Sequence, residues 1–303
     1  MTKVQISSPA SPESAFIAAL RALAAHPAAR GLADDCAVLE VGGETLVLTH
    51  DTLVEGIHTL PGQDPADIAW KLVATNMSDL AAKAAEPLGV LLGYMLGSDD
   101  ARFVAGLGEA LAHYRAPLLG GDTVSGSGGA RAYGLTAIGR ATRCPVPSRA
   151  GACVGDALYL TGPVGAAMLG FEALRSGDAS AEASLAYRRP RALLAEGRAL
   201  APVVSAMMDI SDGLLLDATR MAGASGVSFA IEGARVPIAV PEDRRGDALR
   251  WGDEYQLLFT ARAAAALPVT AFRIGTALSP DDAPVRLDGV PLIQSDGLGY
   301  EHR

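Results

Sequence analysis

Segments typical of strands alternate with segments typical of helices along most of this chain of 303 residues. Such alternation limits the fold to the α/β or α+β class, in which helices cover the faces of a sheet. In the first half, two apolar runs at 36–41 and 45–49 flank Gly42-Gly43, which predicts a β-hairpin. The pattern then predicts a helix, a strand and a second helix, over 64–86, 88–96 and 99–114.

A break in this pattern lies at 144–155, where Pro145 and Pro147 stand among glycines with little periodicity. Segments of this composition commonly separate domains. We therefore predict two domains, 1–144 and 145–303. In the second we expect a strand, two helices, a strand and a further helix, at 157–161, 165–175, 191–200, 206–210 and from Asp212 onward.

The composition argues against several classes of protein. The net charge is −9, and only three of the 25 basic residues are lysines, which is unfavourable for a general nucleic-acid binder. The three cysteines offer neither a disulfide framework nor a zinc motif. No apolar run approaches the ~20 residues of a membrane span, and the polar N-terminus shows no secretory leader. We expect a cytoplasmic protein without a membrane partner.

Aspartates recur beside the edges of the predicted strands. Asp34 and Asp35 precede the first strand and Asp51 follows the second, while three others border later strands: Asp122, Asp209 and Asp212. Carboxylates held close together repel one another and raise each other's pKa unless a cation lies between them. Ligands that are all oxygen suit Mg²⁺, which often takes further ligands from a bound phosphate. The pattern therefore predicts a shared magnesium site.

The predicted helix 64–86 carries an amide within an apolar ridge. Residues at successive i+4 steps form this ridge: Ile68, Leu72, Asn76 and Leu80. A buried asparagine is costly without hydrogen-bond partners, and Asp79 lies on the neighbouring row, so this face is a candidate part of the site. The alternative is a surface ion pair between Asp79 and Lys83, which are also four residues apart.

Common phosphate and nucleophile motifs are missing. The chain has no G-x-x-x-x-G-K-[ST] sequence, which excludes an ordinary P-loop, and no strand is followed by G-x-G-x-x-G. The glycine-rich segment 120–129 could present backbone N–H groups to phosphates as a loop. No histidine lies near Ser205 or Ser211 in the sequence, so nucleophilic catalysis has little support.

Eight segments in order resemble the thiamine-monophosphate kinases, of the superfamily that includes aminoimidazole ribonucleotide synthetase. They are GLADDCAVL at 31–39, THDTLVEGIH at 49–58, NMSDLAAKAAEP at 76–87, LLGGDT at 118–123, RAGACVGDALYLTG at 149–162, MDISDGLLLD at 208–217, WGDEYQLLFT at 251–260 and DGLGYEH at 296–302. The resemblance covers nearly the whole chain. It implies a two-domain fold of this superfamily, with a C-terminal α/β sandwich and an N-terminal sheet that pairs across a homodimer into a barrel.

The resemblance also implies a role for each matching residue. The metal site would comprise Asp35, Thr49, His50, Asp51, Asp79 and Asp122 of the first domain and Asp209 and Asp212 of the second. His50 would take part through its backbone if its ring points away. The catalytic residues would be Asp51, Asp122, Asp209 and Asp212. ATP would contact Gly121, Asp122, Arg149 and Ser211, and the substrate would contact His58, Asp253 and Tyr300.

Three positions depart from the family pattern. The family's G-x-G-D-D is Gly31-Leu32-Ala33-Asp34-Asp35 here, and alanine reduces the freedom of the loop backbone. His50 replaces a threonine. The acidic pair of G-G-E-D-Y-E-L is reversed, as Asp253-Glu254, which questions whether the shorter Asp253 side chain reaches the substrate.

The activity implied is transfer of the γ-phosphate of ATP to thiamine monophosphate, giving thiamine diphosphate, with several Mg²⁺ ions. Two alternatives remain at this point. One is another ATP-using member of the superfamily, such as aminoimidazole ribonucleotide synthetase. The other is a non-catalytic regulator that binds nucleotide or thiamine phosphate.

Overall fold

Two β-sheets frame the molecule, which is seen in a computed structural model that describes residues 12–126, 128–178, 182–293 and 296–302. The strands of the first sheet are β1 (Ala37–Val41), β2 (Glu44–Val54), β3 (Ala85–Leu96), β4 (Leu118–Ser125) and β5 (Ala132–Ala141). Their spatial order is β1-β2-β5-β3-β4. Strands β3 and β4 pair in parallel, and the other neighbours in this sheet pair antiparallel.

Helices cover one face of the first sheet. They are α2 (Pro65–Ala82) and α3 (Asp100–Tyr114), while α1 (Pro12–Arg21) and a 3₁₀ turn (Pro27–Leu32) precede β1. Helix α2 begins where Asp64 accepts a hydrogen bond from the Ala66 N–H, at 2.9 Å, with Pro65 in the first turn. This capping arrangement satisfies a backbone donor that the helix leaves free and favours its start at this point.

The second sheet is built from later strands: β6 (Ala157–Leu160), β7 (Val204–Asp209), β8 (Ser228–Ile231), β9 (Leu257–Ala261), β10 (Phe272–Leu278), β11 (Val285–Leu287) and β12 (Val290–Leu292). Their order is β12-β11-β8-β10-β6-β9-β7, and β8 and β11 pair in parallel. The accompanying helices are α4 (Ala166–Arg175), α5 (Leu185–Arg188), α6 (Leu194–Leu200), α7 (Leu214–Ser225) and α8 (Arg245–Ala248), with 3₁₀ turns at Gly233–Arg235 and Glu242–Arg244.

Helix α2 connects the two sheets, because it packs on β2 and β5 of the first and on β7 of the second. Nearly all of its side chains are buried, including Asn76, whose Nδ2 donates to the Leu72 carbonyl at 2.9 Å. The predicted boundary near residue 145 lies between β5 and β6, where the chain passes from the first sheet to the second. Within the described ranges, no helix is both long and apolar enough to cross a membrane.

The predicted hairpin and the α/β class are confirmed, and three details are wrong. Strand β2 does not end before Asp51, because β5 pairs with it as far as Val54. The segment Gly120–Thr123 is part of strand β4 and not a loop, because its backbone pairs with β3 despite the glycines. Helix α2 stops at Ala82, four residues earlier than predicted, because the next strand begins at Ala85.

Candidate active site

A cavity of about 980 Å³ lies where α2, the end of β7 and the loop before β1 meet. This volume is at the upper end for small-molecule sites and has room for two ligands. Its walls hold nearly all of the residues that the sequence singled out: Asp35, Thr49, His50, Asp51, His58, Asp79, Arg149, Asp209, Ser211, Asp212, Asp253 and Tyr300. Residues from both halves of the chain therefore converge on one space.

Four carboxylates, Asp35, Asp51, Asp79 and Asp209, line one end of this cavity, and we call them the acidic cluster. One oxygen from each of Asp35, Asp79 and Asp209 lies within 4.8 Å of the others. Thr49 Oγ1 donates to Asp79, and Ser78 Oγ donates to Asp209 at 2.6 Å, so both carboxylates are held in place by neighbours. The alternative interpretation, a surface pair between Asp79 and Lys83, is wrong, since Lys83 is fully buried and pairs with Asp34 and Asp35.

The acidic cluster needs positive charge. Burial, reinforced by the charge of Asp35, raises the pKa of Asp209 to about 8 and that of Asp51 to about 6. Burial together with Asp51, Asp209 and Asp35 raises the pKa of Asp79 well above its ordinary value. Among the described residues, the buried Asp35 Oδ2 has no aligned hydrogen bond, although Lys83 Nζ lies 2.6 Å from it. Crowded carboxylate oxygens are the ligand set that Mg²⁺ prefers, so these residues fit the predicted metal.

This electrostatic arrangement predicts how stability depends on pH. Since Asp51, Asp217 and Asp209 have pKa values of about 6, 7 and 8 in the folded chain, against 3.8 ordinarily, the folded state holds protons that the unfolded state has lost. Stability then falls as pH rises through this interval. With EDTA present, we expect the unfolding midpoint to fall from pH 5 to pH 8, and excess Mg²⁺ to flatten the slope. Circular dichroism melts check this, and equal slopes in EDTA and Mg²⁺ would contradict it.

The connection after β7 supplies the side of the cavity that belongs to the second sheet. Asp217, in the first turn of α7, is fully buried and accepts hydrogen bonds from the N–H groups of Ser211 and Asp212, at 3.1 and 3.0 Å. Arg220, one turn further along α7, forms ion pairs with Asp212 and Asp217. The loop that carries Ser211 and Asp212 is therefore fixed by two side chains of the following helix.

Arg149 places a positive charge beside the acidic cluster. It forms an ion pair with Asp35, and its buried Nε has no hydrogen-bond partner among the residues that the structure describes. Burial lowers the pKa of Arg149, but the charges of Asp35 and Asp217 outweigh this effect and keep the guanidinium protonated. An unpaired guanidinium N–H at a cavity wall can donate to a phosphate oxygen.

The three predicted substrate contacts lie in the same cavity. His58 Nδ1 accepts a hydrogen bond from the Val54 N–H at 3.0 Å, and burial and the nearby His302 lower its pKa, so the ring is neutral. The rings of His58 and His302 are 5.2 Å apart, and Tyr300 lies 5.0 Å from His302. Asp253 completes this set, which forms an aromatic region with one carboxylate.

The reversed acidic pair has a structural explanation. Asp253 faces the cavity with its backbone at φ +63°, and its carboxylate accepts from Lys71 Nζ at 2.7 Å and from the Tyr255 hydroxyl at 2.8 Å. Glu254 instead points to the start of α4, where it accepts from the Gly165 N–H at 2.6 Å. Burial raises the pKa of Glu254 to about 8. The longer glutamate thus accepts a hydrogen bond at the start of α4, and the aspartate is the member of the pair that lines the cavity.

Gly121 and Asp122 do not join the site within one chain. In the sheet, Asp122 on β4 pairs with Gly93 on β3. Gly93 pairs in turn with Gly134 on β5, and Gly134 pairs with Thr52 on β2. Three strand spacings of ~4.8 Å place Asp122 about 14 Å from Thr52. Paired residues share a face, so the Asp122 side chain points to the open face, opposite the helices. A single chain therefore does not bring Asp122 to the acidic cluster, and the part of Asp122 in the metal site stays a prediction.

The His50 ring lies on that same open face. Its Nδ1 is 2.8 Å from Thr136 Oγ1, on the neighbouring strand. Alternation along β2 sends the flanking Thr49 and Asp51 to the cavity side, so only the backbone of His50 is directed toward the site. A metal contact from the imidazole is therefore not supported.

Four residues near the site were missed by sequence reasoning: Lys71, Lys83, Asp217 and Arg220. Lys71 and Lys83 could have been noticed in the sequence, because they are two of only three lysines in the chain and both lie in the predicted helix 64–86, which carries an apolar ridge. Asp217 and Arg220 had no comparable signal, since acidic and basic residues in a helix usually face solvent.

Comparison with known proteins extends these observations. Models of the AIR synthase related protein family match residues 33–141 for the N-terminal domain and 154–272 for the C-terminal domain. The chain is 34% identical to the thiamine-monophosphate kinase of Salmonella typhimurium, over 90% of this chain and 91% of that protein. It is 36% identical to that of Caulobacter vibrioides, over 85% and 73%.

Solved structures agree with the sequence comparison. The fold is similar to AaThiL complexed with AMPPCP and TMP, with a TM-score of 0.83 and 25% identity, over 95% of this chain and 97% of that one. It is also similar to the thiamine monophosphate kinase from Aquifex aeolicus, with a TM-score of 0.80 and 25% identity over 94% and 99%.

Proposed function

This chain belongs to the thiamine-monophosphate kinase family, within the AIR synthase related proteins, and we propose that it transfers the γ-phosphoryl group of ATP to thiamine monophosphate. The observation that carries this proposal is the acidic cluster, which shares one cavity with Arg149 and with an aromatic region. The relatives bear the kinase name, and the neighbouring AaThiL structure holds an ATP analogue together with TMP.

We propose that Mg²⁺ binds at the acidic cluster, with Asp35, Asp79 and Asp209 as first ligands and Asp51 beside them. Bound there, Mg²⁺ would supply the positive charge that lets two phosphate-bearing reactants approach each other among aspartates. Thr49 and Ser78 hold the ligand carboxylates through hydrogen bonds. The crowding and raised pKa values described above support this assignment.

The remaining residues of the cavity bind and orient the reactants. Arg149 Nε and Ser211 Oγ are donors beside the acidic cluster, suited to phosphate oxygens of ATP. We assign His58, Asp253 and Tyr300 to the organic part of the acceptor, which carries a positively charged ring that a carboxylate and aromatic faces favour. The attacking group is a phosphate monoester with a second pKa of about 6, so it is mostly deprotonated at pH 7 and needs no general base.

We propose that two copies pair through the open face of the first sheet. Strand β4 is a sheet edge, and apolar side chains are exposed on it and on the neighbouring β3: Leu91, Leu96, Leu118, Leu119 and Val124. Exposed edges with apolar side chains promote pairing with another chain. Such a dimer would also give Asp122 a role, because the open face of one copy could bring it to the site of the other. We retain the division into domains 1–144 and 145–303 as part of this proposal.

The activity is tested by measuring Mg²⁺-dependent release of ADP with and without thiamine monophosphate. We expect release only when both Mg²⁺ and thiamine monophosphate are present, with thiamine diphosphate as the product. ADP release at the same rate with and without thiamine monophosphate would favour another reaction of the superfamily. Binding of both ligands without ADP would favour a non-catalytic regulator.

A further inference from the structure

Lys83 is a fully buried ammonium group at the edge of the acidic cluster. It lies at the C-terminal end of α2, and its Nζ is 2.5 Å from Asp34 Oδ1, 2.6 Å from Asp35 Oδ2 and 3.3 Å from the Met207 carbonyl. A lysine ammonium has three protons and accepts none, so three oxygens match its full capacity. The end of a helix also favours a cation.

The carboxylates around Lys83 are not equivalent. Both oxygens of Asp34 are engaged, Oδ1 by Lys83 and Oδ2 by Arg30 at 2.5 Å. Asp34 Oδ1 also accepts from two backbone N–H groups, that of Asp35 at 3.0 Å and that of Arg149 at 3.3 Å. Asp35 is shared, because Arg149 pairs with its Oδ1 while its Oδ2 faces Lys83 without an aligned hydrogen bond. Asp34 is therefore engaged by Lys83, Arg30 and backbone donors. Asp35 lies between Lys83 and the other members of the acidic cluster.

Lys83 occupies space that a free cation would otherwise take. Two carboxylate oxygens within 2.6 Å of one positive centre leave no room for an ion at that point. Because this ammonium is the end of a side chain, it stays between Asp34 and Asp35, whereas a bound metal ion exchanges with solution.

We propose that Lys83 is a tethered cation that fills one cation position of the acidic site. As a result, the site takes one divalent ion fewer and keeps its shape when Mg²⁺ is absent. This inference rests on the proposed Mg²⁺ site. Lys83 acts here as a positioning residue for Asp34 and Asp35, and it does not touch the reactants.

The test compares Lys83→Met with wild type, without nucleotide, by thermal unfolding and by counting bound Mn²⁺ with electron paramagnetic resonance. We expect Lys83→Met to bind one more Mn²⁺ per chain than wild type. We also expect Mg²⁺ to raise its unfolding midpoint by about 5 °C more than it raises that of wild type, because a new site adds binding energy to the folded state.

Lys71→Met is the matched control. Lys71 is equally buried and also pairs with a carboxylate of the cavity, but its partner is Asp253 and not a member of the acidic cluster. Its loss should lower the unfolding midpoint by the same amount in EDTA and in Mg²⁺. If Lys83→Met behaves in this way too, with an unchanged Mn²⁺ count, then Lys83 is only structural and the proposal is wrong.

A second variant keeps the test open if Lys83→Met does not fold. In Asp34→Asn, we expect the Mn²⁺ count of wild type, because Asp34 serves Lys83 and Arg30 and not the metal. Loss of one Mn²⁺ would mean that metal displaces Lys83, which overturns the proposal. None of these measurements depends on turnover. A wild type that fails to phosphorylate thiamine monophosphate would therefore refute the proposed function, whereas the Mn²⁺ count and the unfolding midpoints alone decide the role of Lys83.

Discussion

Replacing Asp79 with asparagine should lower the turnover number by about 10²–10³-fold, which corresponds to about 3–4 kcal/mol in the barrier. Asp79 lies at the centre of the acidic cluster, within 4.8 Å of oxygens from Asp35 and Asp209. An amide keeps the shape and the hydrogen bond from Thr49 but removes one negative charge from the proposed metal site. Steady-state kinetics at saturating and limiting Mg²⁺ measure the effect. Turnover close to wild type at limiting Mg²⁺ would remove Asp79 from the metal site.

The same substitution should stabilise the protein when metal is absent. Burial and three neighbouring carboxylates raise the pKa of Asp79, so its charge destabilises the folded state. We expect Asp79→Asn to raise the unfolding midpoint in EDTA by on the order of 2–4 °C. A residue that merely supports the fold would show the opposite sign.

Asp67→Asn is the control for this pair of measurements. Asp67 lies on the same helix and is also buried, but it pairs with Arg188 and Arg189 outside the cavity. Its substitution leaves two guanidinium groups with a weakened partner, which destabilises the fold whether or not Mg²⁺ is present. We expect a lower unfolding midpoint and turnover within a few-fold of wild type.

Mixing two inactive variants should restore activity if the site is shared between two copies. We expect Asp122→Asn to lower turnover by at least ~10²-fold, as Asp79→Asn does. In a hybrid dimer of the two variants, one site receives Asp79 from one chain and Asp122 from the other, and is intact. Random exchange gives half hybrids, each with one intact site of two, so about a quarter of wild-type activity should return.

Co-expression of the two variants supplies the random mixture of dimers for this measurement. The control is a mixture of Asp79→Asn and Asp51→Asn, both in the acidic cluster of one chain, which should stay inactive because every site lacks one carboxylate. Two inactive variants that never complement would mean that Asp122 acts within its own chain. An active Asp122→Asn variant would remove this residue from the reaction.

The sequence alone was sufficient for the class of fold and for many of the residues that line the cavity, because both depend on local patterns. The alternation of apolar segments set the helices and strands, and Gly42-Gly43 fixed the hairpin, since both glycines have the positive φ angles that the turn requires. Motif matches also located Asp35, Asp51, Asp79 and Asp209, all of which line the cavity. Aspartates beside a predicted turn or strand end can be recognised from the sequence alone.

Long-range pairing decided what the sequence could not. The register of β2, β5, β3 and β4 carries Asp122 away from the acidic cluster, and alternation along β2 turns the His50 ring to the open face. Glu254 caps α4 while its neighbour Asp253 faces the cavity. The sequence of this acidic pair does not show which of the two side chains faces the cavity.

The charge balance of the site is likewise a tertiary property. Lys83 and Asp79 are four residues apart on one helix, yet Lys83 pairs with the loop before β1 and Asp79 with β2. Sequence determines which charges exist and on which element each one lies. Which charges meet depends on how β7 and the loop before β1 pack around α2, because electrostatic energy follows distance and burial and not separation along the chain.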